Sequence, residues 1–110
     1  MIEHIKPLPR HVNRRMNMTE AAYADRLEIL KLAGDIVDYR FEAVKLRLAE
    51  KTFYTPDFLV TTLDEIQFHE VKGFWRDDAR VKIKVAAAQY PEFAFCAVTR
   101  KRDTWQFEQF

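Results

Sequence analysis

Charged side chains interrupt the most strand-prone stretch of the chain, Tyr54 to Gly73, and that conflict limits the available folds more than any other feature. Phe58-Leu59-Val60 and Ile66 to Val71 are rich in aromatic and β-branched residues, which suit a pleated, half-buried surface. Yet Pro56-Asp57 precedes the first run and Glu70-Val71-Lys72 closes the second. Side chains alternate faces along a strand, so Glu70 and Lys72 project from one side and Val71 from the other. A carboxylate placed there is costly unless it is paired or metal-bound. A local rule broken in this way marks a functional site.

Around this stretch the chain divides into an N-terminal arm, residues 1–16, and one domain, residues 17–110. Pro7 and Pro9 interrupt the arm, and His4, Lys6, Arg10, His11, Arg14 and Arg15 make it basic; it reads as a solvated tail or as a phosphate-contacting or dimer-exchanging arm. Asn17 with Glu20 three residues later has the spacing of a capping box, and Ala21, Ala22, Leu27, Leu30 and Leu32 recur at helical intervals, so a first helix spans about Thr19 to Ala33. Beyond Gly34 the pattern alternates: strands are expected over Ile36–Phe41, Val44–Leu48, Phe53–Thr62 and Ile66–Val71. A proline inside the third implies an edge, a bulge or a bend that would re-aim Asp57. A second helix, Arg76 to Tyr90, packs Ala79, Ile83, Ala86, Ala87 and Tyr90 and stops at Pro91; strands Phe93–Thr99 and Trp105–Phe110 follow, the last with Trp105, Phe107 and Phe110 on one face. The order α-β-β-β-β-α-β-β gives an α/β fold with a mixed central sheet flanked by two helices.

At 110 residues, 48% of them apolar, the chain can bury one core without disulfides. A net charge of +1 excludes a polybasic coat, so any affinity for nucleic acid has to come from segregated charge. The single cysteine, Cys96, lies in the apolar run Phe93 to Val98 and reads as a small buried hydrophobe. No stretch has the length of a signal peptide or of a membrane span, which points to a soluble protein of the cytoplasm. No serine occurs, no Cys/His spacing suits zinc, and two glycines cannot build a phosphate loop, which excludes serine nucleophiles, zinc centres and nucleotide-loop chemistry. His69 alternates away from Glu70 and reads as a packing or surface histidine rather than a base.

Two carboxylates on adjacent strands supply the oxygen ligands that Mg²⁺ prefers. Lys72 beside Glu70 can stabilise charge developing on a phosphodiester or orient the attacking hydroxide. At these residues the sequence resembles the PD-(D/E)XK nuclease superfamily, whose signature of Pro-Asp on one strand and Glu or Asp, any residue, and Lys on the next is matched by Pro56, Asp57, Glu70 and Lys72. The resemblance covers about Thr19 to Val98. It implies a restriction-endonuclease-like core, Mg²⁺ (or Mn²⁺) held by Asp57 and Glu70, Lys72 as charge stabiliser, and DNA as substrate. Members often carry a further glutamate on the first helix, which makes Glu20 a candidate third metal ligand and catalytic residue beside its capping role. The contexts Tyr54 to Phe58 and His69 to Trp75 look most like small phage-borne endonucleases related to Holliday-junction resolvases.

DNA contact is expected from Arg76, Arg80 and Lys84, at four-residue spacing on the second helix, from Arg100, Lys101 and Arg102 at a hairpin tip, and from Arg14 and Arg15 of the arm. Phe74 and Trp75 either stack on an unpaired base or cap the second helix. Symmetric cutting of two strands requires two centres and so a C2 homodimer. The reading is thus a Mg²⁺-dependent endodeoxyribonuclease for branched or structured DNA. Two alternatives stay open: a restriction-like or repair nuclease acting on linear duplex or DNA ends, and a catalytically silent DNA-binding or phage assembly module.

Overall fold

The computed structural model describes residues 5–7, 16–74 and 77–110. Its elements run β1 (Ile5–Pro7), α1 (Met18–Leu32), β2 (Asp38–Phe41), β3 (Val44–Ala49), β4 (Thr52–Tyr54), β5 (Phe58–Thr61), β6 (Ile66–Lys72), α2 (Asp77–Gln89), β7 (Ala94–Lys101) and β8 (Thr104–Gln109). The α/β class with a mixed sheet and two helices is as the periodicity implies, but the strands form two sheets rather than one. A five-stranded sheet has the order β2-β5-β6-β7-β8, parallel only between β6 and β7, and a three-stranded antiparallel sheet has the order β1-β3-β4.

The second sheet arises because one long hairpin bends in both arms. Tyr39 pairs with Val60 and Phe41 with Phe58 in the central sheet; past the bend, Leu46 pairs with Tyr54 and Arg47 with Phe53. One arm turns at Glu42, whose φ of 46° is left-handed. The other turns at Thr55-Pro56-Asp57, so the expected strand Phe53–Thr62 is two strands in two sheets. Proline offers no N–H to a ladder, which suits it to a break in pairing. The Glu42 N–H donates to the Asp57 carbonyl at 2.7 Å and ties the two bends together. Ile5–Pro7, part of the arm expected as a solvated tail or a phosphate-contacting or dimer-exchanging arm, pairs with β3 as an edge strand, Ile5 lying opposite Leu46.

The two faces of the central sheet carry separate cores. On one, Tyr23 and Leu27 of α1 pack on Phe58, Val60, Val71, Cys96 and Val98. On the other, Ile83 and Ala86 of α2 and Tyr90 just beyond its end pack with Leu46, Leu48 and Tyr54 of the small sheet against Phe68, Phe95 and Ala97. The strands therefore alternate between cores, residue by residue, as a sheet covered on both sides demands. Phe110 packs on the α2 side while Trp105 joins the α1 side, which corrects the shared face expected for them: their positions differ by an odd number. Among the described residues no helix is long and apolar enough to cross a membrane.

Candidate active site

The bend at Pro56 delivers Asp57 to the end of β5, beside Glu70 on the neighbouring β6. The Asp57 N–H donates to Glu70 Oε1 at 3.0 Å, and Asp57 Oδ2 accepts from the Val71 N–H at 2.8 Å. Each acid is thus fixed by the other's strand. Tyr54, reaching from the small sheet, donates its hydroxyl to the same Glu70 Oε1 at 2.9 Å. Glu70 Oε2 turns the other way, toward Lys72 Nζ at 3.6 Å. Asp57 and Glu70 are 7% and 8% exposed, whereas Lys72 is partly open to solvent.

Burial sets the electrostatics. It pushes Asp57 up to about 8, and the neighbouring Glu70 charge pushes the same way against the Val71 hydrogen bond. Glu70 is raised by burial too, opposed by Lys72, the Tyr54 hydroxyl and the Asp57 N–H. Tyr54 is driven upward by burial and by the Glu70 charge, so it stays a hydrogen-bond donor. Two desolvated carboxylates facing one ammonium hold more negative potential than Lys72 offsets, and the deficit is met by a proton or by a further cation.

The oxygen-only donor set suits a hard divalent ion, which needs no more than one or two carboxylates, with water and phosphate oxygens completing its shell. Glu20 is not brought into this set. Its carboxylate accepts from the Asn17 N–H and its own N–H donates to Asn17 Oδ1, both at 2.8 Å, closing the capping box of α1. Its charge still pushes Asp57 upward, behind burial and Glu70. Among the described residues no group of three or more His, Cys, Asp or Glu side chains is placed to hold a metal, so the candidate site is a carboxylate pair and not a triad.

His69 lies on the opposite face, as alternation requires. Tyr23 donates to His69 Nδ1 at 2.7 Å and Nε2–H donates to Gln67 Oε1 at 2.9 Å, with Gln67 Nε2 passing the chain on to Glu65. Burial lowers the imidazole to about 4 and keeps it neutral. Tyr54 is the site residue that sequence reasoning missed. The sole signal for it was a tyrosine just before the bend, and its role depends on the small sheet folding back over β6.

The basic residues are dispersed. Arg80 forms a bidentate pair with Glu108 of β8 and lies over Phe110, so its charge is engaged within the fold. Lys84 is exposed on the same helix. Because β6 and β7 are parallel and Lys72 pairs with Thr99, the tip that carries Arg100, Lys101 and Arg102 stands at the same end of the sheet as Lys72. Lys101 shares the Lys72 face by alternation, whereas Arg100 stacks over Trp105 on the other. Arg14, Arg15, Arg76 and Trp75 lie outside the described residues. Next to Lys72 a concavity of about 360 Å³ is lined by Gly73, Phe74, Asp78 and Ala79. In comparisons with protein-family models, curated proteins and solved structures, nothing matches this chain.

Proposed function

We propose that this chain is a Mg²⁺-dependent endonuclease of the PD-(D/E)XK type that hydrolyses phosphodiester bonds in branched or structured DNA. The observation that carries the reading is the convergence of Asp57 and Glu70, two nearly fully buried carboxylates on adjoining strands, with Lys72 Nζ 3.6 Å from Glu70. A stable core has no use for such a pair, and removing charge there would be favourable to folding; an ion-binding role explains its presence.

Asp57 and Glu70 would hold the ion. When bound, Mg²⁺ supplies Lewis-acid polarisation of the phosphate and a water of lowered pKa. Glu70 is oriented by Tyr54 and the Asp57 N–H, which occupy Oε1 and leave Oε2 toward the open side. Lys72 places its ammonium beside the concavity, where it can stabilise charge on the scissile phosphate at little reorganisation cost. Exposed Phe74, on the lining of the same concavity, offers a ring to an unstacked base, which favours a substrate with unpaired or distorted nucleotides. Two such centres are needed to cut both strands, so the proposal includes a homodimer.

Cleavage of a four-way junction, a flap and a linear duplex, each with Mg²⁺ and with chelator, tests this. The junction should be cut fastest and only with metal. Asp57→Asn and Lys72→Ala should each lose on the order of 10²-fold or more in rate while keeping DNA affinity. Wild-type rates in either variant remove the proposed centre, and preference for linear duplex moves the substrate to the restriction-like class.

A further inference from the structure

The outer face of the small sheet breaks a rule of strand pairing. Lys6 of β1 and Lys45 of β3 are direct cross-strand partners, and Arg47, next along that face, pairs with Phe53 of β4. Like charges placed opposite one another on a sheet are destabilising. Here both ammonium groups sit over one ring, Lys6 Nζ at 5.1 Å and Lys45 Nζ at 4.7 Å from the Phe53 centroid. Alternation turns Lys45 and Arg47 outward while Val44, Leu46 and Leu48 face the core. No residue of the three strands is acidic, and among the described residues none of these three cations pairs with a carboxylate. The β3–β4 turn beyond Arg47 holds Glu50 and Lys51, both exposed, and adds no net charge. In a chain of net charge +1 the three strand cations are a strong local segregation.

We infer that this face is a DNA-backbone-binding surface, with Lys6, Lys45 and Arg47 contacting phosphates and Phe53 holding the two ammonium groups in register. A polyanion relieves the Lys6–Lys45 repulsion, which no ion pair among the described residues offsets, and it needs no base recognition. Phe53 lies four residues before Asp57, so the face begins at most roughly 13 Å along the strand from the carboxylate pair. At roughly 3.4 Å per nucleotide along one strand, that is about four nucleotides of an arm running away from the cleaved bond.

The inference rests on register and charge, not on the metal site, and can be tested without cleavage. Binding of a fluorescein-labelled 30-base-pair duplex is measured in EDTA across a salt series for the wild type, for Lys45→Ala/Arg47→Ala and for Lys31→Ala/Lys82→Ala, which removes equal charge elsewhere. The first double variant should bind roughly tenfold more weakly, with the slope of log K against log salt reduced by about 2. The control should stay within twofold. Lys45→Arg/Arg47→Lys keeps both charges and should keep wild-type affinity, and an unchanged melting temperature in Lys45→Ala/Arg47→Ala separates lost contact from a folding defect. Equal affinity in the two alanine double variants, or affinity lost in the charge-conserving one, overturns the proposal. So does loss of binding to polyglutamate alone, which would give the face to an acidic protein.

Discussion

At the scale of single residues, the centre is a place where the fold accepts a penalty. Asp57 is pushed up to about 8 by burial, then by Glu70. Its proton is therefore held more tightly in the folded chain than in the unfolded one, where the group ionises near 4. Stability from that proton is fully present below about pH 4 and is lost as pH rises through about 8. Asp57→Asn keeps an oxygen for the Val71 N–H and removes the charge. It should raise stability at pH 9 by on the order of a few kcal/mol and leave it nearly unchanged at pH 4, as read from urea midpoints at the two pH values. A pH-independent difference would show that burial of the carboxylate is not its source. The meeting of Asp57 with Glu70 and Lys72 was legible only from Pro56-Asp57 and Glu70-Val71-Lys72 taken together on neighbouring strands, since neither fragment is diagnostic alone. Arg80 was not, because its four-residue spacing with Lys84 says nothing about Glu108, which sits 28 positions away on an edge strand.

At the scale of elements, α1 separates the two roles open to Glu20. The capping box ties its carboxylate to the Asn17 N–H. Glu20→Gln keeps an oxygen for that N–H and removes the charge, so it should melt close to the wild type and cleave DNA within several-fold of it. Asn17→Ala should cost about 1 kcal/mol of stability through loss of the cap, with cleavage also retained. A loss of 10²-fold or more in Glu20→Gln at unchanged melting temperature would put Glu20 into the metal set. Both helices were readable to within a residue, and the α1 N-cap with them, because capping and periodicity are local properties. The bent hairpin was not. Apolar residues recur at every second position through Tyr54, Pro56, Phe58 and Val60, and that periodicity does not say which sheet a strand joins. Pro56 announced a break, but its outcome depends on Glu42 and Asp57 meeting across the hairpin. Lys6 had no apolar pattern around it to announce a strand, so β1 was missed and the small basic face with it.

At the scale of the whole molecule, the two sides of the central sheet respond to pH in opposite directions. On the α1 side, His69 is lowered to about 4 from its ordinary value near 6.5 by burial. Its contribution to stability is present above about 6.5 and is lost as pH falls through about 4, because the unfolded chain takes up the proton first. On the α2 side, Asp57 and Glu70 act in reverse and weaken the fold as pH rises. The two effects overlap between about pH 4 and 6.5, where the gain at His69 offsets loss at the acid pair; above about 6.5 only the acid pair acts, the metal-free protein weakens, and a divalent ion should refill that alkaline limb alone. Mg²⁺ held by the acid pair would compete with the proton that the pair retains, so its binding should strengthen with pH. Where Mg²⁺ stands at about ten times its Kd, mass action adds about 1.4 kcal/mol, which raises Tm by roughly 5 °C in a domain of this size. That increment should appear at pH 9, shrink markedly at pH 6, vanish on chelation and be absent from Asp57→Asn at both pH values. Thermal melts of the two proteins with Mg²⁺ and with EDTA measure it directly. An equal shift in Asp57→Asn would locate the ion elsewhere on the molecule and detach the buried pair from metal chemistry.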